Sequence, residues 1–274
     1  MNRIYFFATI LLLLASITSC QQHISESKKH FIAGNDYLFK DDLNNAKKEY
    51  EIAIKVDTTN WQACYELAGV YELEGDYRNA YYYFSRTVQL NPEYALGYYN
   101  RANLEEIMGD EKNAMRDLNE AITRKKDFFS AYMSRGRKEY SDGKFKEAVR
   151  DLDQAINLRP DFYLAYRMRG TSRYKMHDVA GAISDFNEEI KLTPSSIMGY
   201  FDRAMVYSDT KDYRSAINDL NTAININPLW SQGYIYRGMC YINNKVKDSG
   251  CGDFRMAYKL HNPEAESYSK QYCK

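Results

Sequence analysis

A period of 34 residues runs through most of this chain and constrains its fold more than any other feature. Ala46, Ala80, Ala114, Ala148, Ala182 and Ala216 are each 34 residues apart. Small residues keep the same interval at Gly34, Ala68, Ala102, Gly136, Gly170, Ala204 and Gly238. Bulky apolar residues do so at Tyr50, Phe84, Leu118, Leu152, Phe186, Leu220 and Phe254. Pro92, Pro160, Pro194 and Pro228 are separated by 68, 34 and 34 residues. Four independent ladders on one period define a repeat protein, in which each unit buries its apolar face against its neighbours.

Repeats that begin at Ser27, Trp61, Ala95, Phe129, Tyr163, Ile197 and Ser231 give seven units. Each holds two helical patterns. In the fourth, Tyr132, Arg135, Gly136 and Tyr140 share a face of the first helix, and Ala148, Leu152, Ala155 and Ile156 share a face of the second. Asp142-Gly143 marks the turn between them. Antiparallel helices cross closely only where neither presents bulk, which accounts for Gly136 and Ala148. Arg159-Pro160-Asp161 ends the second helix, because proline disfavours helical geometry in the residue before it.

This pattern resembles the tetratricopeptide repeat, a helix-turn-helix unit of the same length. The family's aromatic at position four is matched by Tyr98, Tyr132, Tyr166, Tyr200 and Tyr234, and its alanine at position 27 by Ala53, Ala121, Ala155, Ala223 and Ala257. The departures are His30 and Cys64 at position four, Thr87 and Glu189 at position 27, Lys126 in place of the proline, and Gly250 in place of an alanine. The resemblance covers residues 27–264. It implies an all-α, right-handed solenoid of seven helix-turn-helix repeats, closed by a C-terminal capping helix whose remainder is 265–274.

Comparing the repeats with one another separates two kinds. The last five pair Arg at position seven with Asp at position 23: Arg101/Asp117, Arg135/Asp151, Arg169/Asp185, Arg203/Asp219 and Arg237/Asp253. The first two carry Ala33/Glu49 and Leu67/Tyr83. Residues that appear and vanish together are expected to form a structural ion pair between the two helices of a repeat.

Lys plus Arg and Asp plus Glu both total 37, a balance that argues against nucleic-acid binding. His23, His30, His177 and His261 stand singly, so no zinc site is expected. The chain carries no phosphate loop and no nucleophile with a placed histidine. Neither an enzyme nor a cofactor is expected. In tetratricopeptide arrays, side chains at positions two, five, nine and twelve of the first helices hold peptides or partner helices. Carried over, the resemblance implies a groove that includes Tyr99, Asn103, Tyr140, Tyr174 and Phe201, with a basic spot at Arg137, Arg167 and Lys175. Tyrosine, phenylalanine and arginine are types that dominate binding hot spots. The same aromatics could instead pack between repeats. The expected function is a scaffold or adaptor for a protein or peptide partner; the alternative is a Tyr-rich groove for a small molecule or glycan.

The N-terminus differs in character. Arg3 precedes a nearly continuous apolar run from Ile4 to Ile17, too short to span a bilayer as a helix and suited to an export signal. Ile17-Thr18-Ser19-Cys20 resembles a bacterial lipobox. The resemblance implies a signal peptide over 1–19, lipid on Cys20, and a polar tether over 20–26 that extends in character to Lys29. The expected location is the bacterial cell envelope, lipid-anchored. With Glu26 the only acidic residue soon after Cys20, the periplasmic face of the outer membrane is favoured.

At the other end, Glu264 to Tyr272 fits the capping helix, with Ala265, Tyr268 and Tyr272 inward. Cys251 begins the preceding helix and Cys273 ends the cap, so antiparallel packing would bring them together as a disulfide in an oxidising envelope. A Cys240–Cys251 bond and free thiols are the alternatives, and Cys64 is expected to be a buried thiol.

Overall fold

The computed structural model describes Gln21 and residues 25–274. Residues 1–20, with the expected signal peptide and Cys20, lie outside the described residues. The first helices of the repeats are α1 (25–39), α3 (Trp61–Leu73), α5 (Ala95–Ile107), α7 (Phe129–Ser141), α9 (Tyr163–Lys175), α11 (Ile197–Asp209) and α13 (Ser231–Asn243). The second helices are α2 (Leu43–Val56), α4 (Tyr77–Leu90), α6 (Glu111–Arg124), α8 (Phe145–Leu158), α10 (Val179–Leu192), α12 (Tyr213–Ile226) and α14 (Lys247–Lys259). A terminal α15 spans Ala265–Tyr272. There is no strand among the described residues.

The chain forms two compact units, one ending at Ala131 and the other running from Tyr132 to Lys274. Each is an all-α stack. In the first, α2 to α5 each pack on the next helix; in the second, α8 to α14 do the same and α15 covers α14. The end of the polar stretch after Cys20 is helical from residue 25. Ser27 explains this: it is buried, its hydroxyl donates to the Ala53 carbonyl at 2.8 Å, and it accepts from Asn60 Nδ2 at 2.9 Å.

The turn inside every repeat has one backbone solution. Position 15 is left-handed in all seven, with glycine at Gly75, Gly109 and Gly143 but side chains at Asp41, His177, Lys211 and Lys245. The next residue caps the second helix. Asp42, Asp76, Asp110, Asp178 and Asp212 each accept a backbone N–H three residues on, at 3.0 to 3.2 Å. Lys144 and Val246 hold this position in the other two repeats and make no such bond.

The small residue at position eight faces the bulky residue at position 24. A Cβ on Gly34 would come within 2.5 Å of Tyr50, one on Gly170 within 2.9 Å of Phe186, and one on Gly238 within 2.6 Å of Phe254. A Cβ on Gly136 would meet Leu152 at 3.2 Å and Asp151 at 3.3 Å before the Ala148 carbonyl at 3.5 Å, so the neighbouring side chains set the need for glycine more than the alanine does.

Each Arg/Asp pair is a two-pronged ion pair between the helices of one repeat. Arg203 donates from Nε and Nη2 to Asp219 at 2.8 and 2.7 Å, and Arg237 to Asp253 at 2.8 and 2.6 Å. The guanidiniums of Arg101, Arg169, Arg203 and Arg237 also reach back to position 25 of the preceding repeat. Arg169 Nη1 donates to Asp153 at 2.7 Å, Arg237 Nη1 to Asn221 at 2.8 Å, and Arg203 Nη1 to Asn187. Each also lies over the position-four tyrosine of its own helix, as Arg237 does over Tyr234 at 5.3 Å. One arginine therefore ties two helices of its own repeat to the repeat before it. In the two repeats without the pair, His30 Nδ1 lies 2.6 Å from Glu49 Oε2, and Tyr71 stacks on Tyr83 with centroids 5.7 Å apart.

At the C-terminus, Cys251 and Cys273 form the disulfide, with Cα atoms 5.7 Å apart. Cys64 and Cys240 are buried thiols, and burial pushes Cys64 up to about 11. Ala265 is buried, and Tyr268 and Tyr272 pack with Phe254 at centroid distances of 5.5 and 6.3 Å. Both cysteines and both rings thus clamp α15 onto the last repeat. Among the described residues, no helix is long and apolar enough to cross a membrane, and no group of three or more His, Cys, Asp or Glu is placed to hold a metal ion.

Candidate binding groove

In the second unit, α9 and α11 touch through residues 35 apart, and a cleft opens beside these contacts. It has a volume of about 280 Å³ and is lined by Tyr140 of α7, Leu164, Arg167, Met168 and Thr171 of α9, and Asp202 of α11. Leu164, Arg167, Thr171 and Tyr140 stand at positions two, five, nine and twelve of their repeats. Arg167 Nε donates to Asp202 Oδ2 at 2.8 Å, with both side chains largely buried. Burial pushes the Asp202 carboxyl up, against the pull of Arg167. The Thr171 hydroxyl is spent on the Arg167 carbonyl at 2.8 Å.

Behind this ion pair lies Glu189 of α10. It is completely buried, and neither carboxyl oxygen has a hydrogen-bond partner. Burial pushes it up to about 7, with Arg167 opposing and Asp202 adding to the shift. Gly199 of α11 leaves space beside it: a Cβ there would sit 3.0 Å from Ile190 Cγ1 and 3.2 Å from Glu189 Cδ. Beside the other position-27 departure, a Cβ on Gly97 would meet Val88 Cγ1 at 3.0 Å and Thr87 Cγ2 at 3.3 Å.

Of the residues expected in the groove, the cleft brings together Tyr140 and Arg167. Tyr174 and Lys175 lie at the far end of α9, where the Tyr174 hydroxyl donates to Asp209. Arg137 is exposed on α7. Phe201 is taken up by packing, 5.4 Å from Trp230 at the end of its own repeat and 4.8 Å from Tyr236 of the next. The basic spot is weaker than its residues imply, because Asp202 neutralises Arg167. Leu164, Met168, Thr171 and Asp202 are lining residues not singled out from the sequence. Asp202 had one available signal, its spacing of 35 from Arg167.

In the first unit, Tyr99 packs on Phe128 at 5.0 Å and Asn103 is half-buried on α5. A separate cleft of about 280 Å³ opens there beside Gly69, where an added Cβ would meet nothing within 4 Å. Tyr65, Glu66 and Glu72 line it, and Asn100 Nδ2 donates to the Tyr65 hydroxyl at 3.0 Å.

Comparison with known proteins agrees with this architecture. Models of the tetratricopeptide repeat match residues 33–95, 95–128, 133–197 and 199–228. The chain belongs to the tetratricopeptide repeat family, and its fold is the all-α solenoid of that family, a scaffold for protein–protein interaction. No curated protein matches it. Similar solved structures include the C-terminal part of a tetratricopeptide repeat-containing protein from Cytophaga hutchinsonii, at 16% identity, 86% of this chain, 98% of that chain and a TM-score of 0.73. A tetratricopeptide repeat protein from Parabacteroides merdae matches at 18% identity, 91% of this chain, 100% of that one and a TM-score of 0.60. YrrB, described as having an unusual peptide-binding site, matches at 17% identity, 69% of this chain, 97% of that one and a TM-score of 0.60.

Proposed function

We propose that the protein is an envelope lipoprotein, anchored through Cys20 on the periplasmic face of the outer membrane, that holds a segment of a partner protein as a scaffold or adaptor. The cleft carries this reading: Leu164, Arg167, Thr171 and Tyr140 occupy the four positions that tetratricopeptide arrays use for ligands, around an apolar and polar mixture suited to a peptide. The description of YrrB as a protein with a peptide-binding site supports the same use of the fold. A volume of about 280 Å³ is small for a drug-sized ligand, which favours an inserted side chain over a small molecule or glycan.

Affinity capture from envelope extract tests the cleft. Thr171→Arg fills it from an α-helix that otherwise keeps its contacts. The variant is expected to lose a partner that the wild-type protein recovers, with helicity unchanged. Equal recovery by both would place the binding surface elsewhere. The anchor is tested separately: Cys20→Ala is expected to release the protein from membranes or leave its precursor uncleaved. A mature-sized variant still on membranes would refute lipidation.

A further inference from the structure

The cleft has a charge imbalance in its floor. One guanidinium, Arg167 of α9, is hydrogen-bonded to Asp202 of α11, and its charge also acts on the unpartnered Glu189 of α10 without bonding it. Glu189 occupies a position that is alanine in five of the seven repeats, and a buried carboxyl without a partner is destabilising relative to that alanine. Packing alone therefore does not account for it. Gly199 of the next repeat leaves room beside both Ile190 and the glutamate.

We propose that this cleft receives a basic side chain, the ammonium or guanidinium of a Lys or Arg on the bound partner segment, with Asp202 as its carboxylate and Glu189 as the group that draws Arg167 away from Asp202. This rests on the cleft being the partner site. With Glu189 neutral, Arg167 is committed to Asp202 and the cluster carries no net charge. With Glu189 ionised, two carboxylates share one guanidinium, and the cluster gains a negative charge that an incoming cation balances. Leu164, Met168 and Tyr140 flank the aliphatic stem of such a side chain.

Ionisation of Glu189 is set by few groups. α10 packs against α9 and α11, and the charges these helices bring to Glu189 are Arg167 and Asp202. On α10 itself, Asp185 is engaged by Arg169 and Arg173, and Glu188 by Lys191. Because burial raises Glu189 to about 7, the cleft gains its negative charge as pH rises through neutrality.

The test uses capped nonapeptides that differ only in a central Lys, Gln or Glu, with binding read by fluorescence anisotropy at about pH 6 and about pH 8. The Lys peptide is expected to bind best, and about tenfold more tightly at the higher pH, following the ionised fraction of a group that titrates near neutrality. Glu189→Gln is expected to remove that pH dependence. Asp202→Asn is expected to remove the preference for Lys at both pH values, which keeps the test valid if the Glu189 variant folds poorly. Preference for the Glu peptide would overturn the inference and leave the cleft as a partner site. An unchanged pH dependence in Glu189→Gln would overturn the role of Glu189. Failure of all three peptides would reject the cleft itself as the partner site, and this inference with it.

Discussion

Replacing Arg237 with Met is expected to destabilise the protein by about 3–5 kcal/mol, the usual result of leaving one member of a buried ion pair behind. Asp253 is 7% exposed and receives both prongs of that guanidinium. The same side chain donates to Asn221 of the preceding repeat and covers Tyr234, so the loss falls on two repeats at once. Arg237→Lys keeps the charge without the fork and is expected to recover only part of the loss. The double variant Arg237→Met with Asp253→Leu is expected to recover most of it, because no buried charge is then left alone. Urea unfolding of the three variants measures this. A cost for Arg237→Met below about 1 kcal/mol would show the pair behaving as a surface salt bridge.

Acidification is expected to stabilise the folded protein. Glu105 and Glu189 are buried without hydrogen-bond partners, and burial pushes both up to about 7. Glu139 is also raised to about 7, by burial first and then by the neighbouring Asp151. A carboxyl whose folded value lies above its unfolded one binds more protons when folded. Its stabilisation is complete below the unfolded value near 4.5, falls as pH rises, and is gone above the folded value near 7. Each group contributes up to about 3 kcal/mol across that window. The urea midpoint is therefore expected to be higher at about pH 5 than at about pH 8. Glu105→Gln combined with Glu189→Gln is expected to shrink the difference to the part that Glu139 contributes. A midpoint that rises with pH in the wild-type protein would contradict it.

Much of the fold was legible because the repeat states its own packing rules seven times. Gly34 opposite Tyr50, Gly170 opposite Phe186 and Gly238 opposite Phe254 repeat one steric requirement at one spacing. The Arg/Asp pairs were legible because both partners are invariant in type where they occur. The second reach of those arginines was not, since Ser85, Asp153, Asn187 and Asn221 are different residues that supply the same kind of oxygen acceptor. The capping aspartates were hidden for another reason: an Asp in a polar turn reads equally as solvent surface.

The groove was legible only in part. Tyr140 and Arg167 line the cleft, but Tyr99 turns to Phe128 at the end of its own repeat, and Phe201 to Trp230 at the end of its own and Tyr236 of the next. An aromatic on a first helix carries the same signature in either case, because the neighbour that claims it arrives about 30 residues later in the chain. Glu189 stood out as a departure from alanine, yet its meaning depends on Arg167 and Asp202, which only the stacked helices bring to it.

Site-specific photocrosslinking in the envelope tests the central claim most directly. A photoreactive residue at Thr171, inside the cleft, is compared with one at Ser184, exposed on α10. A protein segment held in the cleft predicts a discrete adduct from Thr171 and none from Ser184. No adduct at Thr171, or the same adduct from both positions, would contradict the account.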